Sequence, residues 1–305
     1  MSPRRPDADV PPGLLLVDKS GGMTSHDVVA RARRALSVRK VGHAGTLDPM
    51  ATGLLVLGVG TATRLLGHVG GHDKTYEATI RLGQATVTDD REGEVLSTAS
   101  TAHLDDDAVR AALAAQTGPL QQVPSAVSAV KVDGRRSYDR VRAGETVELT
   151  PRSVTVHRLE VHRIARPEPD LVDVDVTVEC TAGTYIRAIA RDAGAALGVG
   201  GHLTALRRTV SGPFAVTAAG TVEESAASLV AGGGSGFLGL TEAARLVFPE
   251  RRLTAEEARA LGYGQRIPAT GAGGLHAAVD PDGRLAALVE DAGRSARVAV
   301  GFPPS

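Results

Sequence analysis

The stretch VGHAGTLDPMATGLL, residues 41–55, surrounds a single carboxylate, Asp48, with small residues. Hydrolysis of a glycosidic bond generally needs two carboxylates, one of them a proton donor. A lone aspartate is better suited to act as a nucleophile or charge stabiliser at an electron-poor sugar carbon. Gly42, Ala44 and Gly45 would then leave space for a substrate. A structural interpretation fits as well, because Pro49 is favoured at the first position of a helix and Asp48 at its cap.

The sequence gives little indication of a metal site or of a phosphate-binding loop. His68, His72 and Asp73 have ligand-like spacing, but nothing completes a zinc set. The stretch GVGTAT, residues 58–63, lacks the Gly-Lys-Ser/Thr ending of a phosphate-binding loop. We therefore predict no metal site and no nucleotide cofactor.

Charge is segregated along a chain whose net charge is only −1. Basic residues collect in 31–40 and 131–142, and further pairs occur at Arg207–Arg208 and Arg251–Arg252. Any one of these clusters can be a solvated surface. The four together favour a polyanionic partner, because segregated charge can form a basic face on a nearly neutral protein.

The elements that must position Asp48 are predicted on both sides of it. Residues 14–36 read as a strand, a turn at Gly21–Gly22 and a helix capped by Thr24 or Ser25. A strand is expected over 76–82 and a helix over 104–116, where Asp105–Asp107 suit the positive N-terminus.

The C-terminal half gives the clearest secondary-structure signal. Residues 171–180, LVDVDVTVEC, alternate strictly between valine and polar residues, which predicts a half-buried strand. Helical spacing follows from Tyr185–Arg187 onward. Residues 231–239 read as a flexible glycine-rich linker, and Asp282–Gly283 as a hairpin turn in a small β module. The predicted class is α+β with a mixed, largely antiparallel sheet.

Composition sets broad limits. The single cysteine, Cys180, excludes an intrachain disulfide framework, and a reducing cytoplasm is the expected location. No apolar run reaches the roughly 18–20 residues of a membrane span, so no membrane partner is expected. Residues 1–12 lack an apolar signal core and are predicted to be a disordered leader.

Five blocks, in order over roughly residues 13–215, resemble the motifs of the bacterial TruB family, the tRNA pseudouridine-55 synthases. They are LLLVDKSGGMTSHDVV, GHAGTLDPMATGLL, DKTYEATIRLGQATVTDDREG, VPSAVSAVKVDGRRSYDRVRAG and CTAGTYIRAIARDAGAALGVGGHLTALRR. The resemblance implies a pseudouridine synthase fold with a catalytic domain over 13–230. Residues 121–150 match an RNA-contacting, thumb-like insertion. Residues 240–305 match the RNA-binding module called PUA in position and size alone.

The resemblance also implies roles for single residues. Asp48 acts on the ribose, paired with Arg187, while Tyr76 stacks on the target base. Further matches to substrate-binding positions are Tyr185 and Leu206 lining the uridine pocket, His43 holding the T-loop, and Lys19 and Asp90 without a fixed role. Ser20 departs from the family's Lys-Pro pair, which implies a less rigid loop, and VTDDREG departs from its Thr-Asp-Thr run.

The expected reaction is isomerisation of uridine 55 in the tRNA T-loop after the base has flipped out. Nothing is oxidised and no group is imported, so no cofactor is expected. The expected partner is the T-arm of tRNA, bound by a monomer without an obligate protein partner. His43 favours this type over the box-guided synthases of archaea and eukaryotes. A related synthase acting on another RNA and a non-catalytic tRNA-folding chaperone are the alternatives.

Overall fold

The computed structural model describes residues 10–125 and 150–302, together with the backbone of two short strands at 131–132 and 135–136. Most of the predicted leader (1–12) and of the predicted thumb-like insertion (121–150) lies outside these residues, and so does most of the basic cluster 131–142. Among the described residues, no helix has both the length and the apolar character needed to cross a membrane.

Sequence signals mark where several helices begin. Thr24 and Asp27 form a reciprocal capping box at the first helix, and Asp105 caps the third. The seven helices of the described residues are α1 (Ser25–Leu36), α2 (Leu66–Gly70), α3 (Asp106–Ala114), α4 (Ile186–Ala196), α5 (Val222–Val230), α6 (Leu240–Val247) and α7 (Ala255–Gly262).

The strands lie mainly in two sheets. In chain order they are β1 (Gly13–Lys19), β2 (Val41–Ala44), β3 (Thr52–Val59), β4 (Lys74–Leu82), β5 (Gln84–Thr86), β6 (Val95–Thr98), β7 (Gly118–Gln122), β8 (Lys131–Val132), β9 (Arg135–Arg136), β10 (Arg152–Glu168), β11 (Leu171–Cys180), β12 (Gly201–Ser211), β13 (Phe214–Ala215), β14 (Phe237–Gly239), β15 (Glu250–Arg252), β16 (Ile267–Pro268), β17 (Leu275–Val279), β18 (Leu285–Ala292) and β19 (Ser295–Gly301).

The larger sheet has the order β14-β1-β3-β12-β4-β11-β10-β7, with β2 added to β3 and β13 to β12. Its neighbours are antiparallel except for β12 and β3, which run parallel where Arg208 lies opposite Gly53. The predicted class, α+β with a mixed and largely antiparallel sheet, is confirmed.

Period-two patterning explains the centre of this sheet. Strand β11 spans Leu171–Cys180 as predicted, and its valines are buried while its polar residues are half-buried. Strand β4 alternates in the same way and pairs with β11 along its whole length. Helix α4 packs its buried face, which includes Ile189 and Ala193, into the same core. Strands β4 and β11 and helix α4 therefore share one buried core.

The structural interpretation of Asp48 as the cap of a helix that begins at Pro49 is wrong. Residues 45–51 form an irregular loop between β2 and β3, and Pro49 does not begin a helix. The amide of Ala51 donates to the carbonyl of Asp48 at 3.1 Å, which closes a turn that leads straight into β3. The apolar run 54–57 is buried in the sheet, so tertiary pairing prevails over the local preference of an Asp-Pro pair.

The linker predicted over 231–239 needs correction. Residues 237–239 form β14, which pairs with β1, and the amide of Leu16 donates to the carbonyl of Gly236 at 2.8 Å. The C-terminal β module, with sheet order β15-β17-β18-β19-β16, includes the hairpin predicted at Asp282–Gly283. Its apolar side chains share one buried cluster with β1 and β3, to which Leu14, Leu54, Leu288 and Phe302 belong. The module is packed against the larger sheet and is not tethered at a distance.

Candidate active site

A recess of about 300 Å³ opens at the Asp48 loop, between that loop, β4, β12 and the start of α4. Five of the predicted site residues line it: Asp48, Tyr76, Tyr185, Arg187 and Leu206. They come from separate parts of the chain, and the sheet brings them together. The other residues that matter below are Gly45, Lys74, Arg152 and Arg208, which line the same recess.

The Asp48 loop is held on both sides by buried polar groups. Ser25, at the start of α1, accepts from the Leu47 amide at 2.9 Å and donates to the Leu47 carbonyl at 3.1 Å. Lys19 donates to the carbonyl of Pro49 at 3.2 Å, and also to those of Ser20 and Met23. Asp48 thus lies between Leu47 and Pro49, whose backbones are fixed by these hydrogen bonds, although Asp48 itself belongs to no helix or strand.

Arg187 lies at the base of the recess with only 4% of its side chain exposed. Its Nη2 donates to Oδ1 of Asp48 at 3.3 Å, and its Nε lies 3.1 Å from Oδ2, where the angle does not suit a hydrogen bond. Its Nη1 donates to the carbonyl of Thr88 at 2.7 Å and lies 3.5 Å from Asp90. The guanidinium therefore spans the Asp48 loop and the loop that follows β5.

Burial raises the pKa of Asp48 above its ordinary value, the Arg187 guanidinium opposes that rise, and Asp90 adds to it. Since 33% of the Asp48 side chain is exposed, the carboxylate remains reachable from the recess. An aspartate that is desolvated yet paired is poorly solvated as an anion, and such an anion is a stronger nucleophile or base than one in water.

Tyr76 and Leu206 project into the recess from neighbouring strands, β4 and β12, and each is 7% exposed. Burial raises the pKa of Tyr76 above 10.0, so its phenol is neutral at neutral pH. Tyr185 precedes α4, which has no side-chain cap. The buried amide of Gln122 replaces one, accepting from the Tyr185 amide at 2.7 Å and donating to its carbonyl at 3.0 Å. An aromatic ring and an aliphatic side chain thus flank the carboxylate.

Three predicted site residues do not line the recess. His43 lies on β2, with its ring edge-on to that of His26 at 5.5 Å. Lys19 is 1% exposed, and its ammonium is bonded to the three carbonyls named above; burial lowers its pKa to about 8. Asp90 is 3% exposed and accepts from the Glu92 amide at 3.0 Å. For Lys19 and Asp90 the geometry favours positioning of the Asp48–Arg187 pair over the substrate contact that the resemblance implies.

Two different structural causes require small side chains around Asp48. Gly45, at φ +75°, lines the recess, and a Cβ there would lie 3.2 Å from Nη1 of Arg208. Gly42 and Ala44 instead face protein: a Cβ on Gly42 would lie 3.1 Å from Leu66, and Ala44 belongs to the core. Gly42 and Ala44 therefore do not make space for a substrate, and for Gly45 that role stays a prediction.

Sequence reasoning missed the two other buried cations of the recess. Arg208 is 1% exposed and Lys74 is 7% exposed. The sequence groups Arg208 with Arg207 as a basic pair, yet a strand alternates its faces, so Arg208 points the same way as Leu206. The spacing of two residues between Leu206 and Arg208 could have shown this from the sequence. Lys74 precedes Tyr76 by two residues, so the same argument places its side chain on the face of Tyr76.

Among the described residues, no group of three or more His, Cys, Asp and Glu side chains could hold a metal ion. The ligand-like set noted in the sequence is divided: His68 packs against Phe248, and Asp73 pairs with His157 at 3.0 Å. The polar and aromatic side chains that line the recess include a carboxylate, guanidinium groups, the ammonium of Lys74 and two tyrosine rings.

Comparison with known families gives three matches along the chain. The model of the TruB family pseudouridylate synthase (N terminal domain) matches residues 33–186. That of the tRNA pseudouridylate synthase B C-terminal domain matches 187–231, and that of tRNA Pseudouridine synthase II, C terminal, matches 248–303.

Two similar curated proteins are identical to this chain at more than half of the aligned positions. The tRNA pseudouridine synthase B of Arthrobacter sp. (strain FB24) is 55% identical over 304 residues, covering 96% of this chain and 97% of the relative. That of Thermobifida fusca (strain YX) is 54% identical over 296 residues, covering 96% and 99%.

Solved structures show the same fold, the pseudouridine synthase fold with a C-terminal β module. A Cbf5-Nop10-Gar1 complex contains a chain 26% identical to this one at a TM-score of 0.70, covering 95% of this chain and 85% of that one. An H/ACA RNP bound to a substrate RNA containing 2′-deoxyuridine contains one 24% identical, also at 0.70, covering 96% and 85%.

Proposed function

Because this chain belongs to the TruB family and is a pseudouridine synthase, we propose that it converts uridine 55 in the T-loop of tRNA to pseudouridine. The reaction is an isomerisation in which the bond from C1′ to N1 is replaced by one from C1′ to C5. Relatives of closely similar length are named as acting on tRNA, which supports that substrate here.

The observation that carries the proposal is the Asp48–Arg187 pair at the base of a recess with Tyr76 on one wall. A ribose carbon brought to Asp48 would meet a carboxylate held in a fixed orientation by Arg187. A guanidinium fork matches a carboxylate in geometry as well as in charge, which suits it to this task.

Access to the recess requires the target nucleotide to leave its stack. Extruding a base costs a few kcal/mol, and less from a loop than from a duplex. Stacking on an aromatic side chain returns about 1–3 kcal/mol. Tyr76 supplies that ring, and Leu206 offers an apolar surface for the base.

Asp48 has two possible tasks in this reaction, and both require its ionised form. It can bond to C1′ as the base departs, or it can remove the proton on C2′ so that a glycal forms. In either case the base rotates and C5 bonds to C1′. Asp48 then leaves C1′ or returns its proton to C2′, and the proton on C5 is lost. No oxidant and no imported group enters this balance.

We further propose that tRNA lies across the exposed cations of residues 31–40 and the exposed Arg152 at the recess. Residues 13–230 would form the catalytic domain, 121–150 an RNA-contacting insertion, and 240–305 an RNA-binding module. The protein would act in the cytoplasm as a monomer, without an obligate protein partner.

The test is to incubate the purified protein with an unmodified tRNA transcript and map pseudouridine at single-nucleotide resolution. A single modified position at uridine 55 is the expected result, and a transcript carrying cytidine 55 is the control. Modification at another uridine would reject the site, and modification of another RNA alone would reject tRNA as substrate. If tRNA folding improves without any pseudouridine, the protein is a chaperone instead.

A further inference from the structure

Two buried cations of the recess, Arg208 and Lys74, form no ion pair with a carboxylate of the described residues. Arg208 donates from Nε to the carbonyl of Leu54 at 2.7 Å and from Nη2 to that of Gly45 at 3.0 Å. Lys74 donates to the carbonyls of Gly70 and His72 at 2.9 and 2.6 Å. An uncompensated charge removed from water is expensive, so its retention needs a reason.

The neighbouring titratable groups supply little of the missing charge. Asp73 acts on Lys74 through space, but it forms no ion pair with it and pairs with His157 at 3.0 Å. Arg208 lies directly opposite Tyr76 in the β12–β4 pairing. The phenol is neutral, because burial raises the pKa of Tyr76 even though the Arg208 guanidinium opposes the rise. Cys180, close to Lys74, is neutral as well, since burial raises the pKa of its thiol to about 11. Asp48 is already paired with Arg187.

A purely structural role explains only part of this arrangement. The carbonyls of Leu54 and Gly45 could be bridged by any buried donor, and a neutral one would avoid the desolvation of a full charge. Both cations, however, line the recess in which Tyr76 is expected to hold the base. The unmatched charge therefore faces the place where the proposed reaction generates an anion.

That anion is the departing base. When the C1′–N1 bond breaks, its electron pair leaves with the uracil, and the charge spreads over N1, O2 and O4. The sugar carbon is satisfied by an Asp48 oxygen or by a C1′–C2′ double bond, with the C2′ proton on Asp48. When C5 attacks C1′, the pair enters the new carbon–carbon bond. In the first case the bond from C1′ to Asp48 breaks and frees the carboxylate, and in the second Asp48 returns its proton to C2′. Loss of the C5 proton then restores the neutral ring.

We propose that Arg208, assisted by Lys74, stabilises the uracil anion during the rearrangement through the positive potential of the recess wall behind Tyr76. This inference rests on the proposed function. Fixed positive charge in a water-excluded site acts without reorganisation during the reaction, and removing one such group lowers kcat by about 100- to 1,000-fold in other enzymes. Because both cations are anchored on carbonyls, they are positioning and electrostatic residues that need not touch the base.

The experiment changes both the stability of the departing uracil anion and the positive charge of the recess, and compares their effects on the rate. Two tRNA transcripts are prepared, one with uridine and one with 5-fluorouridine at the target, since fluorine withdraws electrons and makes the uracil anion more stable. The variants are Arg208→Gln, Arg208→Lys and Lys74→Gln. The matched control is Arg81→Gln, which removes a guanidinium from the opposite face of β4, where Asp173 pairs with it at 2.8 Å. Loss of the N-linked target nucleoside is followed in single turnover.

Arg208→Gln should slow cleavage of the uridine substrate by roughly 100-fold, and its defect on 5-fluorouridine should be several times smaller. Arg208→Lys should be slower than wild type, but its rate defect should be the same on the uridine and 5-fluorouridine transcripts, because the positive charge is kept. Lys74→Gln should repeat the selective pattern of Arg208→Gln, and it serves as the test if that variant does not fold.

Equal defects of Arg208→Gln and Lys74→Gln on the two substrates would overturn the proposal, since a structural lesion does not distinguish leaving groups. The same holds if Arg81→Gln shows the selective pattern. If the wild-type protein converts neither transcript, the proposed function itself has failed, and that outcome is separate from these.

Discussion

Replacing Arg187 by lysine tests the central pair while keeping the charge. The guanidinium approaches both oxygens of Asp48, at 3.3 and 3.1 Å, and donates to the carbonyl of Thr88 at 2.7 Å. An ammonium on a shorter stem cannot reach all three positions. We expect the variant to fold, because the buried positive charge stays close to Asp48 and Asp90.

The size of the effect follows from the hydrogen bonds that lysine cannot form. A hydrogen bond to a charged group is worth about 1.5–3 kcal/mol, and lysine gives up the bond to Thr88 and one of the two approaches to Asp48. Since the retained charge offsets part of this, we expect about 3 kcal/mol in activation free energy, which is roughly 100-fold in kcat. Affinity for tRNA should change little, because most of that affinity comes from phosphates.

The assay is tritium release from C5-labelled tRNA in single turnover, combined with a binding titration at fixed salt. Arg191→Lys is the matched control. It lies one turn further along α4 and pairs with Asp89 at 3.3 Å, outside the recess. This control should remain within about twofold of wild type. Wild-type rates for Arg187→Lys, or equal loss in both variants, would refute the orienting role of Arg187.

Four further outcomes are expected. Asp48→Asn should abolish turnover with tRNA binding intact and with a Tm at or above that of wild type, because burial disfavours the carboxylate it replaces; measurable pseudouridine formation by the pure variant would exclude Asp48. Tyr76→Phe should turn over nearly normally, whereas Tyr76→Leu should lose about 1–3 kcal/mol of base stacking; undiminished tritium release by the Leu variant would remove Tyr76 from the site. The pH profile of kcat should be bell-shaped. Activity falls on the acid side because Asp48, whose pKa is raised, becomes protonated. It falls on the alkaline side near pH 8 because Lys19 loses a proton and with it the full set of hydrogen bonds to three carbonyls. An alkaline limb unchanged in Lys19→Met would contradict this assignment. Deletion of residues 251–305 should lower the Tm of the remaining chain, because the module shares a core with β1 and β3; an unchanged thermal transition would show that the module is independent.

Local patterns were sufficient where the cause is local. The alternation of residues 171–180 predicted β11 to the residue, because period two can bury only one face of a strand. Of the two predicted caps, Thr24 and Ser25, the structure uses Thr24, and the helix expected over 104–116 spans Asp106–Ala114 with Asp105 as its cap. Such signals suffice because a cap acts on amides two or three residues away. The five motif blocks identified Asp48, Tyr76 and Arg187 as candidates, and the family they indicated is the one to which the chain belongs.

Only the tertiary structure could decide how these residues meet. Arg187 and Asp48 are 139 positions apart, and no periodicity encodes that contact. The Asp-Pro pair suggested a helix locally, but pairing of β3 with β1 and β12 draws the chain into a sheet instead. Arg208 looked like surface charge, and its burial follows from the parity of β12 and from the strands that flank it on both sides. Local chemistry therefore selected the groups, and long-range strand pairing decided which of them are buried together.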